Sequence, residues 1–356
     1  MQPQGKWVRS WGGVLAGLLA AGTAQAAVTA TSTECKRHQS LATSRVSPSS
    51  ASALQTELNN ATAGRMIELR ANTTYTGSFT TAGKDGNSSA RIYLCGPRSA
   101  VLKSSSLFGS YNLHVNGSNY YTVDGFTLRD GSKGIMVDAS SNSRVRYVRV
   151  YNIGAEGIHL RKSSKNNIVE YNLVESVGKS DPGYGEGIYV GSANSNWSSV
   201  MGSSTTPDRS DANTIRNNTV KTFTAEGLDI KEGTYGGTVQ SNTFYGSSIS
   251  GANSADSCVD AKGEKYTFRS NKCDRTTNDG FQTHNQSSGC ANNTCPNSGK
   301  NHTWDANWTN LMTPSGGVAP GYGIRIHSTS GTGNIVKCTN TVSNKSSSYR
   351  SNVTCQ

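Results

Sequence analysis

The chain has 356 residues, 33% of them hydrophobic, and a formal net charge of +11. The lean apolar content, set among many Gly, Asn, Ser and Thr, excludes a helical membrane protein, and no dense Lys/Arg block with interleaved aromatics supports nucleic-acid binding. A basic surface suits an anionic polysaccharide or a membrane surface, or serves only to keep the chain soluble. At the start, Lys6 and Arg9, an apolar run over residues 14–21 and Ala24-Gln25-Ala26 read as a secretory signal peptide ending at about Ala26. The run is too short to cross about 30 Å of hydrocarbon. The expected mature protein, residues 27–356, is a secreted, monomeric single domain.

Residues 27–66 read as an N-terminal cap. Within it, residues 49–60 predict a short helix with Ala51, Leu54 and Leu58 on one side, placed to cover an open end of the core. Ile67-Glu68-Leu69 and Ile92-Tyr93-Leu94 look like the first strands. From Lys133 a six-residue pattern recurs: Lys133-Gly134-Ile135-Met136-Val137-Asp138, then copies starting at Glu156, Glu186, Glu226, Ser257, Asp279 and Tyr322. Third and fifth positions are mostly apolar, fourth and sixth mostly polar, which is the alternation of a strand with one buried face. A second template, with Asn at its fourth place, follows several copies and puts Asn172, Asn218, Asn242 and Asn271 at equivalent positions. Asn tolerates left-handed backbone and hydrogen-bonds locally, so these residues are expected at corners, stacked as a ladder.

Short strands repeating every few tens of residues, with no helical period between them, predict an all-β solenoid: a right-handed parallel β-helix with an N-terminal cap and long loops. Its coils run over residues 67–337, with a C-terminal tail at 338–356. Spacing between copies lengthens around residues 192–211 and 285–320, which are therefore loops. They carry Trp197, Trp304 and Trp308, which would either stack on sugar rings or pin the loops down. Eight cysteines fit an oxidising compartment. They allow on the order of a hundred pairings; sequence neighbours favour Cys258/Cys273, Cys290/Cys295 and Cys338/Cys355, leaving Cys35/Cys95.

Stacking the copies gathers charge on one face. Asp229 and Asp260 fall on neighbouring strands about 4.8 Å apart, as do Lys231 and Lys262. Stacked like charges need an offset, either alternation with Lys and Arg or a bound cation. Glu226, Asp229, Asp260 and Asp279 form a candidate Ca²⁺ set, since hard cations take several oxygen ligands. For elimination across a uronate, the face supplies Lys231 as a candidate base with Lys262 in reserve, Arg325 to clamp the carboxylate and His284 to relay a proton. Lys231 serves as a base only if its pKa falls, and its acidic neighbours oppose that unless a cation neutralises them. His159, Arg161, Tyr189, Gln282, His327 and Trp197 are candidate substrate contacts.

Gly227-Leu228-Asp229-Ile230-Lys231 resembles the Gly-Phe-x-x-Lys strand of family 9 polysaccharide lyases. Asn278-Asp279-Gly280-Phe281 resembles the Asp-Asp-Gly-Trp stretch that accompanies it. Residues 110–345 more broadly resemble the pectin-lyase-like β-helix proteins. The resemblance implies a calcium-dependent pectate lyase type with Lys231 as base. Asp229 departs from it by replacing a small residue, and an extra Asp-Ala-Lys coil precedes Asp279, which makes Lys262 a rival. The expectation is a lyase that cleaves an acidic polysaccharide by β-elimination. The alternatives are a hydrolase using Asp229 with Asp260, or a non-catalytic carbohydrate-binding solenoid.

Overall fold

The computed structural model describes residues 32–327 and 333–356; the expected signal peptide lies outside them. Three parallel sheets run along a right-handed β-helix. Each coil visits them in turn, as in Lys133–Asp138 on the first sheet, Arg144–Arg146 on the second and Arg149–Tyr151 on the third, before the chain returns to the first at Ile158–Arg161. Among the described residues the first sheet has nine strands, the second eleven and the third ten. The six-residue copies all lie on the first sheet. Glycine leads most of them because the corner is closed to a side chain: a Cβ on Gly187 would stand 2.1 Å from Val220 Cγ1 and 2.8 Å from the Gly227 carbonyl.

Apolar positions of all three sheets point inward and form one continuous core, from Leu54 and Leu58 at the N-terminal end to Ile326 and Val336. The capping helix is Ala51–Asn59, with Ser50 as its N-cap accepting from Ala53 N–H. Leu54 and Leu58 are its buried residues. A strand at Ser44–Val46 precedes it and pairs in parallel with Arg65–Glu68. The four disulfides join Cys35–Cys95, Cys258–Cys273, Cys290–Cys295 and Cys338–Cys355, as neighbour pairing suggests.

The asparagine ladder is present and longer than expected. Asn172, Asn218, Asn242, Asn271, Asn307 and Asn340 stack between the second and third sheets, each backbone N–H donating to the next side-chain Oδ1 at 2.9–3.0 Å. Their Nδ2 groups donate to the next Oδ1 and to carbonyls such as Val169 O and Ile215 O. The left-handed residue at each corner is the one before the asparagine: Tyr171, Asn217, Ser241 and Ser270 have φ of 55–57°. The amide is therefore selected for the four bonds it makes in a buried row rather than for its backbone preference.

Candidate active site on the first sheet

Strand register brings two columns of polar side chains to the outer face of the first sheet. One reads His159, Tyr189, Asp229, Asp260, Gln282, Arg325, each paired with the next in register. The other carries Lys231, Lys262, His284 and His327, each two residues further along its strand. Loops around residues 193–196 and 253–256 rise beside these columns and leave a cleft of about 540 Å³. Tyr189, Lys231, Lys262, His284 and His327 all line it.

Buried charge at the floor of the cleft is balanced within the protein. Lys231 Nζ lies 2.5 Å from Asp229 Oδ2, and Lys262 Nζ lies 3.0 Å from Asp229 Oδ1 and 2.5 Å from Asp260 Oδ2. Asp260 turns its other oxygen to His284 Nδ1 at 2.9 Å. Two ammonium groups thus face two carboxylates, and lysine supplies the offset that stacked acids demand. Burial pulls Lys231 down, but contact with Asp229 outweighs it and holds the amine above the ordinary lysine range. Lys262 is raised in the same way by Asp229 and Asp260. Contact with these carboxylates favours the ammonium form of both lysines, the effect that a Lys231 base would need a bound cation to offset.

Two histidines stack beside the lysines with ring centroids 4.0 Å apart. Burial lowers His284, but its bond to Asp260 outweighs that and raises it overall, whereas burial together with His284 and Arg325 lowers His327. An imidazole held at Nδ1 by a carboxylate and open to a cleft at its other nitrogen is suited to proton transfer. Tyr189 lies on the opposite side of the lysines, with Lys231 Nζ 5.0 Å from its ring centroid. Burial first, then the charges of Asp229 and Glu186, keep its phenol protonated well above the usual range.

The other expected contacts do not line the cleft. His159 is buried, its Nε2 2.8 Å from the Gly191 carbonyl and its ring edge against Tyr189, so it positions that tyrosine. Arg161 is committed to Asp138 through Nε and Nη2, on coils before the cleft. Gln282 is buried and donates to Asp256 Oδ1. Trp197 is 0% exposed, donates from Nε1 to the Ser192 carbonyl and packs on the Cys290–Cys295 bridge. It pins its loop and offers no face to a sugar. Trp304 is likewise buried, stacked on Phe268 at 3.9 Å. Arg325 is partly exposed, its Nε 2.9 Å from Asp279 Oδ2 and its guanidinium over the Tyr322 ring.

The four acids expected to bind a cation separate into three environments. Asp279 serves Arg325 and the Tyr322 N–H, and Asp260 serves Lys262 and His284. Only Glu226 and Asp229 remain together, joined by Glu186, with ligand oxygens all within 4.8 Å of one another. Glu186 belongs to the row of acids at the strand starts, but only folding shows that it meets the other two. Its Oε2 is buried without a hydrogen-bond partner. Burial and the neighbouring acids push Glu186 up, and push Glu226 up to about 8. An unfolded Glu226 releases its proton near the ordinary glutamate value of 4.5, so between there and about 8 the folded chain holds a proton that the unfolded chain has lost, and stability falls as pH rises through that window. Glu226→Gln is expected to abolish this slope. In chelator, its denaturant midpoint matches wild type below pH 4.5 and exceeds it by pH 8; parallel curves would show that folding leaves the Glu226 pKa unshifted.

The family described as right-handed beta helix region matches residues 55–200. The crystal structure of an alginate lyase from Paenibacillus sp. str. FPU-7 is 31% identical and superposes with a TM-score of 0.74, over 84% of this chain and 95% of that one. Pectate lyase Pel9A, at 12% identity and a TM-score of 0.58, covers 88% of this chain and 80% of its own. An endo-xylogalacturonan hydrolase from Aspergillus tubingensis, also 12% identical, has a TM-score of 0.53 over 88% and 96%. At 12% identity the last two share the fold alone. No curated protein matches the sequence. The chain belongs to the right-handed parallel β-helix proteins, a group that includes these polysaccharide lyases.

Proposed function

We propose that this protein is a secreted polysaccharide lyase that cleaves a uronate polymer, alginate first, by β-elimination. The observation that carries the reading is the 31% identity to an alginate lyase along 95% of that chain. The chemistry of the cleft agrees with it. Lys262, protonated and central on the floor, receives the uronate carboxylate and makes the C5 proton more acidic. His284, oriented by Asp260, takes that proton. Lys231, also protonated and beside the neutral Tyr189 hydroxyl, gives a proton to the departing glycosidic oxygen. Strands at this spacing put Lys231 and His284 about 10 Å apart, enough to flank one sugar residue. Four disulfides, and the absence of any helix long and apolar enough to cross a membrane among the described residues, fit the secreted reading.

Calcium belongs to the proposal at Glu186, Glu226 and Asp229. These fit in donor type, three carboxylates with one orphaned oxygen, although both Asp229 oxygens already meet lysine. When bound there, Ca²⁺ supplies positive charge at the edge of the floor where the substrate carboxylates arrive. The test follows ultraviolet absorbance of unsaturated uronate ends on alginate, pectate and glucuronan, with a parallel reducing-end assay, in Ca²⁺ and in EGTA. Rising absorbance on alginate, with a lower rate and lower melting temperature in EGTA, is expected. An unchanged rate and melting temperature in EGTA removes calcium from the reading and leaves the lyase.

A hydrolase using Asp229 with Asp260 is the second reading, favoured by their register on neighbouring strands at the floor of the cleft. Strands at that spacing bring two carboxyls to about 5 Å, the separation a retaining glycosidase uses. Reducing ends without the absorbance would select it.

A further inference from the structure

A second concavity, of about 200 Å³, opens on earlier coils, at the turn from the first sheet to the second, and shares no lining residue with the cleft. Two guanidinium groups face it, Arg91 and Arg144. Arg91 is anchored: its Nε donates to Thr122 Oγ1 at 2.9 Å and its Nη2 to the carbonyls of Tyr121 and Asn142. Arg144, on the strand Arg144–Arg146, is exposed. Among the described residues neither arginine forms an ion pair, and no carboxylate lines the concavity. Two neighbouring arginines on these sheets are matched with acid, Arg146 with Glu170 and Arg149 with Glu175. Here two like charges lie close enough that Arg144, after burial, depresses Arg91 to about 10. An anion between them would relieve that repulsion.

The surroundings narrow the kind of anion. Tyr120 stands with its ring centroid 5.7 Å from the Arg91 guanidinium, and Asn142, Asn166 and Ser88 complete the rim with amides and a hydroxyl. Guanidinium forks match carboxylates in planar, two-point fashion, while amides and hydroxyls match sugar hydroxyls. We infer that this concavity is a non-catalytic subsite for the carboxylate of a single uronate residue, holding a polyuronate chain to the solenoid away from the cleft. The choice of a uronate rests on the lyase reading; the anion chemistry does not.

Calorimetry with an alginate hexasaccharide tests it, using Lys231→Ala to suppress cleavage. Two binding events per chain are expected. Adding Arg144→Ala, an exposed change that leaves the Arg91 anchors intact, is expected to weaken one event about tenfold or more, the scale of a lost charge-assisted contact. Asn166→Ala should weaken the same event by less. In the Lys231-intact chain, Arg144→Ala is expected to raise the KM for polymer several-fold while kcat and hexasaccharide cleavage stay unchanged. If wild type makes no unsaturated product but the Arg144-dependent event persists, the lyase reading fails and the subsite stands. Equal stoichiometry and affinity with and without Arg144 overturns the subsite whatever the activity. Full displacement by millimolar phosphate, with no discrimination against it, overturns the sugar assignment.

Discussion

Lys231→Ala is expected to lower the initial rate of unsaturated-product formation on alginate by about a thousandfold or more, the usual scale for a positioned proton-transfer group. The folded chain should persist, because Asp229 keeps its second ammonium partner, Lys262, through Oδ1. An unchanged circular dichroism spectrum checks that. Lys231→Arg separates the two tasks a lysine performs. Arginine keeps the positive charge beside Asp229 but does not release a proton at working pH, so it stays inactive if Lys231 is the donor and recovers much of the rate if only charge matters. A rate within tenfold of wild type for Lys231→Ala would sink the assignment and move attention to Lys262 and His284.

Asn218→Ala is expected to cost about 3–5 kcal/mol of unfolding free energy, read from the denaturant midpoint. The side chain is 1% exposed and makes four hydrogen bonds: it donates to Val169 O and Asn242 Oδ1, and accepts from Asn172 N and Asn172 Nδ2. Alanine leaves those partners stranded in a row that water does not reach, and unmet buried groups are expensive. A loss below about 1 kcal/mol would mean the ladder relaxes around the gap.

Much of this architecture is legible from local pattern. Period-two alternation in copies such as Glu226-Gly227-Leu228-Asp229-Ile230-Lys231 marks strands, and equivalent places in the repeat put Asp229 over Asp260 and Gln282 beside Arg325, as the register confirms. What pattern does not carry is the loops. Asn194, Asn253 and Asp256 wall the cleft, yet nothing periodic announces them, because their positions depend on chain paths outside the repeat. Tryptophan composition cannot distinguish a stacking platform from an anchor; Trp197 is buried with the Cys290–Cys295 bridge packed against it. The charge state of Lys231 hinges on a 2.5 Å contact with Asp229, which two positions on one strand allow but do not dictate. Gln282 likewise reads as a ligand contact until Asp256, from a loop 26 residues away, occupies its amide.

The parallel register also behaves as a ratchet. Each coil contributes one residue to each column, so chemistry along the sheet moves in fixed steps of about 4.8 Å. Splicing one complete extra coil between Lys262 and Phe281 would satisfy the same inward contacts and continue the same ladder. It would nevertheless part Lys262 and Asp260 from His284 by one full step. Such a chain keeps its solenoid and loses its dyad, which decouples the inheritance of stability from that of activity and lets duplication of a coil reposition a functional group in a single event.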